Sequence, residues 1–221
     1  YEIYNGSSTT EDVDTTLKYH YGVRGKSIEI DMSTSHTETV DVPSFWTKGL
    51  VRNVDTDTDY YKIQHAIDNA SDGDTLNVWA WTYYETLVID ESISIVGNSS
   101  SNTNIIAGTE EYDSDNPYVV EITAANVVLK NINFTATTSD FDILYSYDAD
   151  AISLLNNIFY YSSADHSSTT TVKLKDGDNH IISENIIYLG NQILVMEGVS
   201  NSLVNNNHLS STDSGASWEI S

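Results

Sequence analysis

A chain of 221 residues with 39% hydrophobic content is long enough for one sizeable core or at most two small ones. Thirty-three acidic side chains against nine basic ones give a net charge of -24, which sets the surface against phosphate backbones and anionic lipid and excludes nucleic acid and membrane surfaces as partners. With no cysteine there are no disulfides or thiolate metal sites, and no apolar run reaches the roughly 18 residues that a membrane-spanning helix needs.

The first residue is Tyr1 rather than methionine, as expected after removal of a signal peptide or trimming. Residues 1–54 are rich in Thr, Ser and Asp and contain two stretches alternating at period two, "KSIEIDMS" and "TETVDVPSFW". They are expected to form a strand-rich N-terminal extension that caps the next domain or pairs with a neighbouring subunit. The segment "DTDYYKIQHAIDNASDGDT" then places Ile63, Ala66, Ile67 and Ala70 at helical spacing, behind Asp59 as a candidate N-cap and ahead of Gly73. That pattern predicts one short amphipathic helix over 60–70. After Gly73 the helical period disappears. Short apolar runs such as "SISIVG", "VVLKNINF", "AISLLNNIFYY" and "HIISENIIY" alternate with polar turns to the last residue, which predicts an all-β domain over 55–221.

Within that domain "KNINF", "NNIFY", "ENIIY" and "NNHLS" overlay on Asn131, Asn157, Asn185 and Asn207, at separations of 22 to 28 residues. Self-similarity at that period is the mark of a solenoid in which each repeat is one rung. Asparagine suits the rung's sharp turn because it tolerates left-handed backbone and hydrogen-bonds nearby peptide groups. Stacked copies form a ladder along the solenoid axis.

The stretch "YYKIQHAIDNASDGDTLNVWAWTYYETLVIDESISIVGNSSSNTNII", residues 60–106, resembles the right-handed parallel β-helix repeat family grouped with carbohydrate-binding and sugar-hydrolase domains. In that family a capping helix of the form "IQ-AI--A--GDTI" precedes a "Y-E-L-I" step and an "SI-I-G" opening. Ile63, Gln64, Ala66, Ile67, Gly73, Asp74, Thr75, Tyr84, Glu85, Ile93 and Gly97 fall on the pattern. Trp79 to Trp81 stand where the family usually has a small-residue turn containing Gly. The resemblance extends over roughly 57–221 and implies a parallel β-helix with a short N-terminal capping helix. It also implies kinship with secreted bacterial and archaeal surface proteins, and with pectate lyases and polygalacturonases.

Those enzymes set the chemistry to look for. A lyase needs calcium-binding acids beside a base that abstracts a proton next to a carboxylate, yet residues 55–221 contain no arginine. Lys173 and Lys175 share one strand face close to Asp176 and Asp178, where surface ion pairing is the commoner use. An inverting glycosidase needs two carboxylates converging on a cleft. Asp148 and Asp150, with Asp176 and Asp178, are the nearest set and are the candidate sugar contacts. His180 and His208 stand alone in sequence and are expected in turns or core. No catalytic set is assigned.

"DTDTD" spaces Asp55, Asp57 and Asp59 like the opening of a calcium loop, though Ala66 stands where the closing glutamate belongs. Calcium is the one cofactor that the sequence raises. "EEYDSD" at 110–115 is a further acidic run. Trp79, Trp81, Tyr83 and Tyr84 form an aromatic cluster in which alternation would place the two tryptophans on one face, with coil packing a commoner use than sugar stacking. Glycosylation sequons begin at Asn5, Asn69, Asn98 and Asn133 and point to an extracellular or cell-surface location.

Two functions follow. The first is a non-catalytic secreted structural protein that self-assembles head to tail into a surface layer, sheath or filament, because a solenoid ending on "GASWEIS" without a cap leaves an edge for a neighbour. The second is a carbohydrate-binding or polysaccharide-degrading β-helix domain. The repeat alone does not choose between them.

Overall fold

The computed structural model describes residues 17–21, 26–30, 50–108, 117–139, 141–162, 169–188, 191–210 and 217–220. The chain separates into two compact units, Tyr1–Pro43 and Ser44–Ser221. In the first, Leu17–Tyr21 pairs antiparallel with Lys26–Ile30. "KSIEIDMS" therefore supplies one strand, "LKYHY" is its partner, and "TETVDVPSFW" lies outside the described residues.

The second unit is a right-handed parallel β-helix. The chain passes in turn through three sheets, each six parallel strands deep among the described residues. Sheet 1 begins at Thr75–Val78, sheet 2 at Thr82–Tyr84 and sheet 3 at Leu87–Ile89, and the next rung starts at Ser94–Gly97. Alternation within each strand sends columns of apolar side chains inward on every sheet. In sheet 1 Leu76, Ile95, Leu129, Leu154 and Ile182 stack in register, and in sheet 3 Leu87, Val120, Leu144, Val172 and Leu194 do the same. Sheet 2 contributes Tyr83, Ile105, Phe134, Phe159 and Ile187, with the two phenylalanine rings stacked at 5.3 Å and 12°. All of these side chains are buried, and at about 1.5–3 kcal/mol per buried aliphatic or aromatic side chain they dominate the stability of the stack.

Residues 50–54, placed with the extension by the sequence, belong to the β-helix unit. Val51–Asn53 pairs antiparallel with the first strand of sheet 1 and turns back through Thr58–Tyr60, covering that sheet's open edge. The helix spans Ile63–Ile67, shorter than the predicted 60–70, and buries Ile63, Ala66 and Ile67. Asp59 does not cap it. The Glu85 carboxylate does, accepting the Ile63 and Gln64 backbone N–H groups at 3.0 and 3.1 Å. Gln64 completes the closure: its side-chain amide accepts the Val88 N–H at 2.8 Å and donates to the Val88 carbonyl at 3.1 Å. It thereby occupies backbone groups on the exposed edge of sheet 3. The family-like motif thus has a mechanical meaning, since Ile63, Gln64, Ala66, Ile67 and Glu85 together seal the first rung. Gly73 adopts φ +92°, which favours glycine, and a Cβ at Gly97 would collide with the Asn131 carbonyl oxygen on the next rung.

The turn from sheet 1 to sheet 2 carries the asparagines, in two parallel rows. The first turn residue, Asn131, Asn156, Glu184 and Asn206 in successive rungs, is left-handed with φ between +54° and +62°. The next position points inward and holds Ile132, Asn157, Asn185 and Asn207. Asn157 accepts the Ile132 N–H at 3.0 Å and donates to the Leu129 carbonyl at 2.8 Å. The Asn157 N–H bonds the Asn185 side chain, and the Asn185 N–H bonds the Asn207 side chain, each at 2.9 Å. Asn131 therefore does not belong to the buried row in which the sequence overlay placed it. It matches Asn156, whose amide donates to it at 2.8 Å on the exposed side of the turn.

Candidate functional site

Sheet 3 presents the most chemically varied outward surface of the β-helix. Its residues follow from strand alternation: once Val120, Leu144, Val172 and Leu194 point inward, the residues after them point out. Glu121, Tyr145, Lys173 and Val195 form one outward column and Tyr147, Lys175 and Glu197 a second, while Tyr118, Asp142, Thr170 and Gln192 align at the strand entries, where the consecutive buried pairs Val119–Val120, Ile143–Leu144, Thr171–Val172 and Ile193–Leu194 interrupt the alternation. Sheets 1 and 2 offer nothing comparable. Among the described residues sheet 2 has no Asp, Glu, Lys or Arg in any strand, and the parallel strands of sheet 1 have only Lys130.

The Tyr118 and Tyr145 rings stack with centroids 4.6 Å apart and planes 14° from parallel, forming a flat aromatic platform across two rungs. Two rungs further on, Glu197 lies between Lys173 and Lys175, at 3.7 and 3.8 Å. The Lys175 ammonium also sits 5.7 Å from the centre of the exposed Tyr147 ring. These groups are part-exposed, so the ion pairs orient the side chains more than they stabilise the fold. Asp142 is half-buried and accepts the Thr170 N–H at 2.6 Å. Burial pushes its carboxyl above the ordinary value, against the opposing pull of the Thr170 N–H and of Lys173.

The arrangement suits recognition better than acid–base cleavage. Asp142 and Glu197 stand two rungs and five residues apart in register, which at about 4.8 Å per rung and 3.3 Å per residue separates their backbones by roughly 19 Å. Glycosidic acid–base pairs work at about 5–10 Å. Glu197 is engaged by two lysines and Asp142 by a backbone N–H.

The four aspartates proposed from sequence as sugar contacts do gather, at the turn leaving sheet 3 on two adjacent rungs. Asp148 matches Asp176, both left-handed, and Asp150 matches Asp178. The second pair is structural: Asp150 accepts the Asp178 N–H at 2.8 Å, and Asp178 accepts the Ser200 N–H at 3.1 Å and its hydroxyl. They form a carboxylate counterpart of the asparagine ladder. Beside them His180 is buried, its Nδ1 accepting the Ile152 N–H at 3.3 Å while its backbone N–H donates to the Ser202 hydroxyl at 3.1 Å. Burial holds its imidazole below the ordinary value, opposed by Asp150 and Asp178.

Asp55, Asp57 and Asp59 do not converge. Asp55 accepts the Thr75 N–H at 2.7 Å, while Asp57 and Asp59 pair with Arg52. Among the described residues no three His, Asp or Glu side chains assemble into a metal-binding group. Trp79 and Trp81 lie in the turn before Thr82–Tyr84 rather than alternating along a strand: Trp79 is exposed, whereas Trp81 packs against the core. Asn69 and Asn98 are exposed, and Asn133 is half-buried with its amide donated to Asn104 at 3.0 Å. Asn5 and "EEYDSD" lie outside the described residues.

Sequence reasoning picked out Lys173 and Lys175 but missed Tyr118, Asp142, Tyr145 and Glu197. Connections of unequal length separate these residues, and only the strand register brings them onto one face. The available signal was the alternation in "YVVEI" and "FDILYSY".

No protein-family model and no curated protein matches the chain. Among solved structures, a pectin methylesterase variant in complex with a hexasaccharide matches with a TM-score of 0.53 at 16% identity. The match covers 71% of this chain and 52% of that one, so this chain spans about half the length of the protein that it resembles. The likeness is one of fold: both are parallel β-helices.

Proposed function

We propose that the β-helix unit is a non-catalytic polysaccharide-binding domain working outside the cell or at its surface, with the outward face of sheet 3 as its glycan contact. The observation that carries this reading is the stacked Tyr118–Tyr145 pair beside the Lys173–Glu197–Lys175 cluster on one exposed face. A pyranose ring offers a flat array of C–H bonds that packs on aromatic faces, and its hydroxyls take donors from lysine and acceptors from glutamate. That the pectin methylesterase holds a hexasaccharide supports a glycan on this fold. The self-assembling structural role ranks second, because the first-rung edges of sheets 1 and 3 on which a neighbour would pair are met by the chain's own Val51–Asn53 hairpin and Gln64.

Affinity electrophoresis against a panel of soluble neutral and acidic polysaccharides tests the reading. Retardation by at least one of them is expected, weakened about 3- to 10-fold in Tyr145→Ala, with no new reducing ends on prolonged incubation. Unretarded migration across the panel, or retardation indifferent to Tyr145→Ala, removes it.

A further inference from the structure

The outward face of sheet 2 is chemically unlike the rest of the molecule. In a chain of net charge -24, its six described strands, Thr82–Tyr84 through His208–Ser210, contain no Asp, Glu, Lys or Arg. Register aligns Tyr84, Ile106, Thr135, Tyr160 and Tyr188 in one column, with Asn104, Asn133, Ile158 and Ile186 in the column beside it, so that Ile106 and the buried Thr135 separate Tyr84 from the Tyr160–Tyr188 pair. Tyr84 is 67% exposed and Tyr160 36%. Edge-to-face contacts order the aromatic column: Tyr160 meets Tyr188 at 6.3 Å, and Tyr188 meets His208 at 5.9 Å. The Asn133 amide donates to Asn104 at 3.0 Å, holding both side chains across the rungs.

Shape and charge narrow the choice of occupant. Six strands at about 4.8 Å spacing and three residues at about 3.3 Å define a strip near 25 by 10 Å, or some 250 Å², well below the roughly 800 Å² per partner of a stable protein interface. A second copy would also bring another -24 charges up against a chain that already carries -24, and the same net charge repels polyanions. A long, narrow, uncharged surface of tyrosine rings, with asparagine amides beside one part of it and Ile158 and Ile186 beside the other, matches one extended, uncharged, hydroxyl-rich chain. We infer that the outward face of sheet 2 is a second binding strip, taking a single neutral polysaccharide chain along the solenoid axis across Tyr84, Tyr160 and Tyr188. This strip does not depend on the sheet 3 site, which lies on a different face and is built from charged as well as aromatic groups.

Calorimetric titration of the full chain with cellohexaose, mannohexaose and xylohexaose, with hexagalacturonate as the anionic control, tests the inference. At least one neutral hexaose binds, its affinity unchanged between low and high salt, because no charge takes part. Tyr160→Ser weakens it about tenfold, Tyr160→Phe retains it because the ring is kept, and Lys130→Ala, exposed on sheet 1, leaves it unchanged. Failure of all three neutral hexaoses to bind overturns the inference. So does loss of binding in Tyr145→Ala but not in Tyr160→Ser, which would place the contact on sheet 3 and leave the proposed function standing. A concentration-dependent dimer that Tyr160→Ser dissociates likewise overturns it, by assigning the face to a second copy.

Discussion

Two regions of the β-helix use repetition in opposite ways. At the turn from sheet 1 to sheet 2 the same side chain recurs inward from rung to rung: Asn157, Asn185 and Asn207 each bond the rung before. On the outward face of sheet 3 successive rungs carry different side chains in register, as in the column Glu121, Tyr145, Lys173, Val195. The first region has one geometry to satisfy at every rung, and burial makes any unpaired amide costly. The second is free of that requirement at its exposed positions, and its variety is the basis of the proposed glycan contact. Recurrence in a solenoid therefore marks structure, and departures from recurrence on an exposed face mark the place to look for function.

The comparison breaks first at its buried end. Asn157→Ala removes the acceptor of the Ile132 N–H and the donor to the Leu129 carbonyl, and is expected to cost about 3 kcal/mol in denaturant unfolding. A cost below about 1 kcal/mol would remove the ladder from its structural role. Glu85→Ala, which releases two helix N–H groups at the sealed end, should cost about 2 kcal/mol. Hydrogen exchange should then rise first around Val88, the strand that Gln64 covers. Asn131→Ala, in the exposed row at φ +61°, should cost only about 1 kcal/mol, mainly for left-handed alanine. The difference between the Asn131 and Asn157 variants measures burial at otherwise similar turns.

The smallest effect concerns pH. In the unfolded chain the His180 imidazole titrates near its ordinary value of 6.5, whereas in the folded chain burial holds it lower. Between those values the unfolded state binds more protons, so stability falls as the pH drops through 6.5. His180→Asn is expected to flatten that part of the stability profile, as seen in denaturation midpoints from pH 7.5 to 5. An unchanged slope would show that the fall belongs to the carboxylates.

The β-helix and its sealed first rung were legible because both rest on local pattern: period-two alternation, an asparagine period, and a helix motif whose residues close a defined edge. The register within a rung was not. "KNI" and "NNI" overlay equally well with Asn131 on Asn156 or on Asn157, since the two turn positions favour asparagine for different reasons, left-handed backbone at one and buried amide bonding at the other. The stacked Phe134 and Phe159 would have fixed the choice. The site was less legible still, because Tyr118, Asp142, Tyr145 and Glu197 meet only after each rung's turn length is known.

The central claim is the proposal that Tyr145 and the exposed groups around it on sheet 3 serve glycan contact rather than the stability of the stack. Its most direct test is Tyr145→Ala, carried through denaturant unfolding and polysaccharide binding on the same preparation. The account predicts an unfolding free energy within about 0.5 kcal/mol of the parent, as for surface positions generally, together with binding weakened several-fold. A protein destabilised by several kcal/mol, or one that binds as the parent does, would contradict it.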